Sequence, residues 1–169
     1  MCKAGFSSGG LPVINALVLF PAHLVSRRAT PPPLQFLIDT GADATMISAF
    51  DAPKLGIVYQ ADANGVQVPY FGGAALPQGA SLGGVGGGIN AYEVNDVTLI
   101  LTCELDNGLT EYHSESLEKI YIPEGNVPDI PNLLGRDILS RFDILWKSGE
   151  KTIDFTRCLS QGRWSVSVG

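Results

Sequence analysis

A carboxylate stands where a mostly apolar run of the chain ends and a turn begins. Asp39 follows residues 34–38 and is followed directly by Thr40 and Gly41. An ionised carboxylate at the end of an apolar strand loses water, so it is normally paired or has its pKa raised. Asp39 is therefore a candidate acid or base, although these residues alone also allow a turn residue that caps the following segment.

A second segment that could do chemistry is rich in glycine. Six of the nine residues 83–91 are Gly or Ala, and Val85 is the apolar residue at the centre of the glycines. Consecutive backbone amides can cradle a phosphate, but the chain lacks the Lys and the Ser or Thr of a P-loop, and a strand pattern follows. A mobile or sharply turned hairpin is the favoured interpretation.

Three segments, in order along the chain, resemble the retropepsins, which are the retroviral-type aspartic proteases. Residues 37–43, Leu-Ile-Asp-Thr-Gly-Ala-Asp, resemble the active-site signature of that family. Residues 82–87, Leu-Gly-Gly-Val-Gly-Gly, resemble its glycine-rich flap. Residues 133–139, Leu-Leu-Gly-Arg-Asp-Ile-Leu, resemble the segment that opens its helix. The length of the stretch 103–131 favours a cellular or bacterial member over a compact viral enzyme.

The resemblance implies catalytic roles for Asp39, Thr40 and Gly41. Asp39 would be one half of a pair of carboxyl groups that hold one proton between them and titrate as a coupled unit. One carboxyl group would take a proton from a water molecule while the other donates to the scissile carbonyl. The Thr40 hydroxyl would bond across to the partner subunit, and Gly41 would let the backbone approach an extended peptide.

The resemblance also implies residues that bind the substrate and residues that support the site. The implied substrate-binding residues are Ala42, Asp43, Gly83, Gly84, Val85 and Gly86. Asp43 would also pair with Arg136, whose planar guanidinium can engage a carboxylate through two hydrogen bonds. Arg136 and Gly135 would support the site structurally.

The number of signatures bears on the oligomeric state. The chain has one Asp-Thr-Gly and no second Asp-Thr-Gly or Asp-Ser-Gly, so the resemblance predicts a symmetric homodimer with the site on its two-fold axis. Asp137 and Asp143 are the nearest substitutes within the chain, but surface ion pairing or capping is the favoured interpretation for both. Two locations of the dimer interface are equally compatible with the sequence: a terminal strand at 164–168 and the hairpin 142–155.

The expected function is that of an aspartic endopeptidase, which hydrolyses extended polypeptides bound beneath the flap. We expect no metal ion and no other cofactor for this chemistry. The alternative is a catalytically silent module of the same fold that binds peptides or dimerises without cleaving. The intact Asp39, Thr40 and Gly41 favour the enzyme, because a silent descendant has no need of a carboxylate at that position.

Composition limits the other classes of function. The chain has 169 residues, 45% hydrophobic and 17% charged, so we expect one domain over 1–169 with a core at about 13–156. The net charge is −6 and no basic cluster exceeds the pair Arg27 and Arg28, which makes nucleic acid a poor partner. Three cysteines and two histidines show no metal-ligand spacing, which argues against a metal site.

The same residue counts and patterns bear on location. An odd number of cysteines favours reduced thiols and a cytoplasmic location. Residues 11–25 are apolar, but the run is too short and too interrupted for a membrane span. The cations follow this run, whereas a signal peptide places them before it, so we interpret the segment as a strand.

The spacing of apolar residues, with 20 Gly and 11 Pro as punctuation, predicts a mostly β protein. Strands are predicted at 15–20, 34–38, 92–102, 142–146, 151–155 and 164–168. Helical segments are predicted at 45–55 and 132–142, and hairpin turns at 64–65 and 107–108. Together with the resemblance, this predicts a single-lobe retropepsin-like fold, a closed antiparallel β-barrel with one short helix near 135–142.

Overall fold

The computed structural model describes residues 2–21, 30–84, 87–105, 107–127 and 130–158. Within these ranges the strands are β1 Cys2–Phe6, β2 Pro12–Leu19, β3 Leu34–Ile38, β4 Val58–Ala61, β5 Gln67–Phe71, β6 Ala74–Ala75, β7 Gln78–Gly84, β8 Gly87–Glu104, β9 Thr110–Pro123, β10 Asn132–Leu134, β11 Phe142–Lys147 and β12 Thr152–Arg157. A 3-10 helix spans Ala52–Leu55, and the α-helix α1 spans Arg136–Leu139. The expectation of a mostly β fold with one short α-helix is confirmed.

Nine of the described strands form one sheet around the long strand β8. The hydrogen-bonded path runs β10-β3-β2-β8-β1-β12-β11, while β7 and β9 also pair with β8. The strands β4, β5 and β6 form a separate sheet. Strand β3 lies between β2, which is antiparallel to it, and β10, which is parallel to it. The segment that follows β3 therefore starts from a strand that is paired on both edges.

The expected closure into a barrel is wrong. The path has two free ends, β10 and β11, and no pairing joins them among the described strands. Strand β9 covers one edge of β8, whereas β7 and β2 pair with different stretches of the other edge. Because β8 is 18 residues long, it has room for both partners, and the sheet branches there instead of closing.

The core forms where strand alternation places apolar side chains on one face. In β2 and β3 every second residue is buried, including Ala16 and Phe36, which are fully buried. Large buried side chains from the other elements complete the core: Leu99, Leu101, Ile120, Ile122, Ile138, Ile153 and Phe155. The strand that ends in front of Asp39 is therefore fixed by the core of the molecule.

The predicted helix at 132–142 is correct only in its middle. Residues 132–134 form β10, which pairs with residues 36–38 of β3, and the helix itself is only Arg136–Leu139. Leu134 and Ile138 are both fully buried, which explains why their spacing resembled one apolar helix face. The spacing reflected their common burial, although the two residues lie in different elements.

Several local predictions are confirmed. Of the helical segment predicted at 45–55, only Ala52–Leu55 is helical, as a 3-10 helix. The predicted stop is confirmed at Gly56, whose φ of 86° is in the left-handed region that favours glycine. The hairpin turns at 64–65 and 107–108 precede β5 and β9, with φ of 80° at Gly65 and 77° at Gly108. The predicted strands 34–38, 142–146 and 151–155 correspond to β3, β11 and β12. The predicted strand 164–168 lies outside the described residues, as do residues 22–25 of the apolar segment 11–25.

Two further observations concern the cysteines and possible membrane-spanning helices. Cys103 is disulfide-bonded and Cys158 is a free thiol, so the thiols are not all reduced as the odd count suggested. An odd count also permits one bridge and one free cysteine. In the part of the chain that is described, no helix has the length and apolar character needed to cross a bilayer. Cytoplasmic location stays a prediction.

Candidate active site

Asp39 lies in a tight turn directly after β3. Its backbone N–H donates to the Leu134 carbonyl of β10 at 3.1 Å, and its own carbonyl accepts from the Ala42 N–H at 3.2 Å. The half-buried carboxylate accepts a hydrogen bond from the Gly41 N–H at 2.9 Å. A Cβ on Gly41 would lie only 3.1 Å from the Asp39 Oδ1 atom, so the glycine permits this close approach.

The segment after Asp39 is hydrogen-bonded to the start of α1. The Arg136 N–H donates to the Ala42 carbonyl at 2.9 Å, and the Asp137 N–H donates to the Asp43 carbonyl at 3.3 Å. The side chains of Arg136 and Asp43 form an ion pair, and both are largely exposed. An exposed pair of this kind contributes little stability, so the backbone bonds do most to hold the segment in place.

Asp137 binds the far end of the same segment. Its Oδ2 accepts from the Thr45 N–H at 2.9 Å, and its Oδ1 accepts from the Thr45 hydroxyl at 2.7 Å. Oδ1 also accepts from the Ile138 N–H at 2.9 Å, within the first turn of α1. The N-cap of α1 is Gly135, so neither capping nor surface ion pairing describes the contacts of Asp137. Its main partner, the buried Thr45, was missed in the sequence because the two residues are far apart in the chain.

Gly135 is buried at the point where β10 meets α1. A Cβ on this residue would lie 2.4 Å from the carbonyl carbon of Ala44 and 2.6 Å from its carbonyl oxygen. The Gly135 N–H donates to the Thr45 hydroxyl at 3.2 Å. A glycine is therefore required here for close contact between two backbone segments, whereas its φ of −90° is open to any residue.

Another set of polar contacts, made by the side chain of Asn132, lies beside β3 in the neighbouring strand β10. The Asn132 side chain is 3% exposed and accepts from the Ser48 N–H at 2.8 Å. Its amide nitrogen donates to the Gln35 carbonyl at 2.9 Å and to the Asp51 carboxylate at 2.5 Å. No sequence motif pointed to Asn132, although a polar residue that opens an apolar strand is a usable signal.

The candidate flap is a hairpin of β7 and β8. Gly83 is paired with Gly88, and Gly84 with Gly87, which brings the glycines together at the end of the hairpin. Val85 and Gly86, the predicted tip, lie outside the described residues. The hairpin interpretation is confirmed for the paired residues, and substrate contact by the flap stays a prediction.

The remaining sequence-predicted residues are placed as follows. Thr40 is exposed, as is Gly41, and Ala42 is half-buried. Asp143 is exposed on β11, where its Oδ1 lies 3.7 Å from the Cys158 Sγ atom. Desolvation, together with the Asp143 carboxylate, raises the pKa of the Cys158 thiol. Among the described residues, no group of three His, Cys, Asp or Glu side chains could hold a metal ion.

No protein-family profile and no curated protein matches the sequence. The solved structures that are similar to the chain include the following two. One is a retropepsin-like aspartic protease from Rickettsia conorii, 17% identical, with a TM-score of 0.48; the match covers 90% of this chain and 87% of that chain. The other is EIAV protease in complex with the inhibitor HBY-793, 20% identical, with a TM-score of 0.41; the match covers 80% of this chain and 90% of that chain.

Proposed function

We propose that this protein is an aspartic endopeptidase of the retropepsin type, active as a homodimer. The observation that carries the proposal is the turn at Asp39, which combines the Asp-Thr-Gly motif with a carboxylate held at the end of a core strand. The Gly41 N–H fixes one carboxylate oxygen at 2.9 Å, and the other oxygen accepts no hydrogen bond from a described residue. A carboxylate held in this way can act on a water molecule.

The proposed mechanism uses two Asp39 side chains, one from each subunit. Two carboxyl groups that lie close together cannot both be ionised, so the pair holds one proton. The ionised member takes a proton from water, and the protonated member donates to the carbonyl oxygen of the scissile bond. The water oxygen attacks the carbonyl carbon and gives a tetrahedral diol. Collapse of this diol breaks the C–N bond while the proton taken from water passes to the leaving nitrogen, and no covalent enzyme intermediate and no cofactor is needed.

Exposure in the single chain fits a site that two copies complete. Thr40 and Gly41 both face solvent although they directly follow the half-buried Asp39. In the proposed dimer the Thr40 hydroxyl bonds to the partner subunit and fixes the floor of the site. Each chain, taken as one domain over 1–169 with its core at about 13–156, then supplies half of the active site.

The proposed substrate is an extended polypeptide. Its backbone would lie against Ala42 and Asp43 and beneath the flap residues Gly83, Gly84, Val85 and Gly86, where strand-like hydrogen bonds are available. Support comes from the exposed Asp43 side chain, which is held by Arg136 at the edge of the turn. Gly135 supports the site by permitting the close contact with Ala44.

The test is cleavage of an unstructured peptide library, with mass-spectrometric mapping of the products. We expect the parent to cleave and Asp39→Asn to lose activity by at least about a thousandfold, since the pair can then no longer supply its general base. The matched control is Asp143→Asn, which makes the same chemical change at an exposed carboxylate and should leave cleavage unchanged. Peptide binding without turnover would favour the catalytically silent module, and equal cleavage by Asp39→Asn would reject the catalytic assignment.

A further inference from the structure

Behind α1 lies a buried carboxylate that the proposed chemistry does not use. Glu115 of β9 is 1% exposed and lies between two arginines. Its Oε2 accepts from Arg141 Nη1 at 2.9 Å and from Arg157 Nη2 at 3.4 Å. Its Oε1 lies 3.2 Å from Arg157 Nη1, an ion-pair contact without hydrogen-bond geometry. Three charges are thus gathered at a site where desolvation opposes them.

The two arginines differ in what else they bind. Arg141 Nε donates to the carbonyl of Asp137 at 3.0 Å, and Nη1 donates to the carbonyl of Ser116 at 2.9 Å. The Arg157 Nε atom is buried and has no hydrogen-bond partner. Arg141 therefore connects Glu115 to α1, whereas the described contacts of the Arg157 guanidinium go to Glu115.

The connection continues to the segment that carries Asp39. The Asp137 carbonyl is held by Arg141, and the Asp137 carboxylate holds the backbone and the hydroxyl of Thr45. Thr45 is fully buried and ends the segment that begins at Asp39. Other groups also hold this end: the Tyr121 N–H donates to the Thr45 carbonyl at 3.2 Å, and the Gly135 N–H donates to the Thr45 hydroxyl at 3.2 Å. A displacement of Asp137 would therefore remove two of the hydrogen bonds that fix this end of the segment.

We propose that Glu115 is a positioning residue, which acts through Arg141 and Asp137 on the segment 39–45. Replacement of a buried ion pair by apolar residues is often neutral or stabilising, so stability alone is a weak reason for this arrangement. A more specific reason for the arrangement is that Glu115 fixes the Arg141 guanidinium, which in turn orients the Asp137 carbonyl. The expected effect on catalysis rests on the proposed function of Asp39. The expected effect on the mobility of the segment 39–45 does not depend on that function.

Amide hydrogen exchange tests the mechanical step without a substrate. Arg141→Lys keeps the charge beside Glu115 but removes the Nε donor to Asp137. We expect exchange across residues 40–46 to become faster by about ten-fold, because one hydrogen bond is lost. Glu115→Gln should produce the same change. The matched control Arg157→Gln removes a partner of Glu115 that does not reach Asp137, and should leave exchange across 40–46 at the parent rate.

Enzyme kinetics test the catalytic step. With Arg141→Lys we expect kcat to fall about ten-fold with KM within about two-fold, since ground-state peptide contacts are kept. Unchanged exchange in Arg141→Lys, or equal acceleration in Arg157→Gln, would overturn the proposal. A parent without activity would reject the proposed function, while the exchange result would still decide the positioning role.

Discussion

Gly135 shows how a single residue can be required by contact alone. A Cβ at this position would lie 2.4 Å from a backbone carbon of Ala44, and neither backbone segment can move freely because each is hydrogen-bonded to the other. We predict that Gly135→Ala lowers the free energy of unfolding by roughly 2 to 3 kcal/mol. Urea denaturation of parent and variant measures this difference.

The control for this substitution is Gly149→Ala. Gly149 lies in the exposed turn between β11 and β12, where a Cβ would meet nothing within 4 Å. Gly149→Ala should change the free energy of unfolding by no more than about 0.5 kcal/mol. Equal effects of the two substitutions would show that the contact between Gly135 and Ala44 does not limit the fold.

At the residue scale, the sequence was informative wherever a short motif carried the chemistry. Asp39 and Gly41 stood out because a carboxylate beside a glycine at a strand end is unusual. The pairing of Thr45 with Asp137 did not stand out, because these hydrogen bonds join residues 92 positions apart. Such pairings depend on the packing of α1 against the turn, which no local pattern records.

Among the elements, β10 depends on one buried side chain. Asn132 bonds to Ser48, Gln35 and Asp51, and so ties β10 to β3 and to the turn before the 3-10 helix. We predict that Asn132→Ala lowers the free energy of unfolding by about 2 to 3 kcal/mol, since the buried Ser48 N–H would be left without a partner. Thermal and urea unfolding measure the loss.

The exposed Asn126 provides the comparison for Asn132. It makes a single long hydrogen bond, 3.4 Å, to the Gly65 carbonyl. Asn126→Ala should change the unfolding free energy by less than about 0.5 kcal/mol. If Asn132→Ala changed the unfolding free energy as little as Asn126→Ala, the side-chain hydrogen bonds of Asn132 would be unnecessary for the fold.

Tyr59 joins the two sheets and gives a pH-dependent prediction. Its hydroxyl donates to the Pro123 carbonyl of β9 at 3.1 Å, and burial raises its pKa above the ordinary tyrosine value. The unfolded chain ionises this residue from about pH 10, whereas the folded chain keeps its proton, so stability is present below that pH and falls as pH rises toward the folded pKa. Tyr59→Phe removes both the hydrogen bond and the titration.

The measurement is the difference in unfolding free energy between parent and Tyr59→Phe. Near neutral pH we expect the parent to be more stable by about 1 kcal/mol, and the gap should shrink above about pH 10. Tyr112→Phe, at an exposed position on β9, is the control and should follow the parent at every pH. A gap that stays constant with rising pH would contradict the account of Tyr59.

Elements were predicted well where local turn chemistry decides them, and poorly where pairing decides them. Gly56 marked the end of the 3-10 helix and Gly65 the turn between β4 and β5, because a left-handed backbone favours glycine. Residues 132–134 were assigned to a helix because a three-residue strand is too short to show alternation. Its identity as a strand comes from its parallel partner β3, which is far away in the sequence.

At the scale of the whole molecule, closure of the sheet was the incorrect prediction. Alternation shows which face of a strand is buried but not which strands become neighbours, so the branching at β8 could not be read from the pattern. The single Asp-Thr-Gly is a different kind of signal, because its count is independent of topology. It leads directly to the central proposal, a site that two chains share.

The most direct test of that proposal is a mixing experiment between the parent and Asp39→Asn under conditions of subunit exchange, with light scattering to establish that both are dimers. If each site needs one Asp39 from each chain, mixed dimers are inactive, so an equimolar mixture keeps about a quarter of the activity of an all-parent sample at the same total chain concentration. If each chain carried a complete site, the mixture would keep about half of that activity. A quarter supports the shared Asp39 pair, and a half contradicts it.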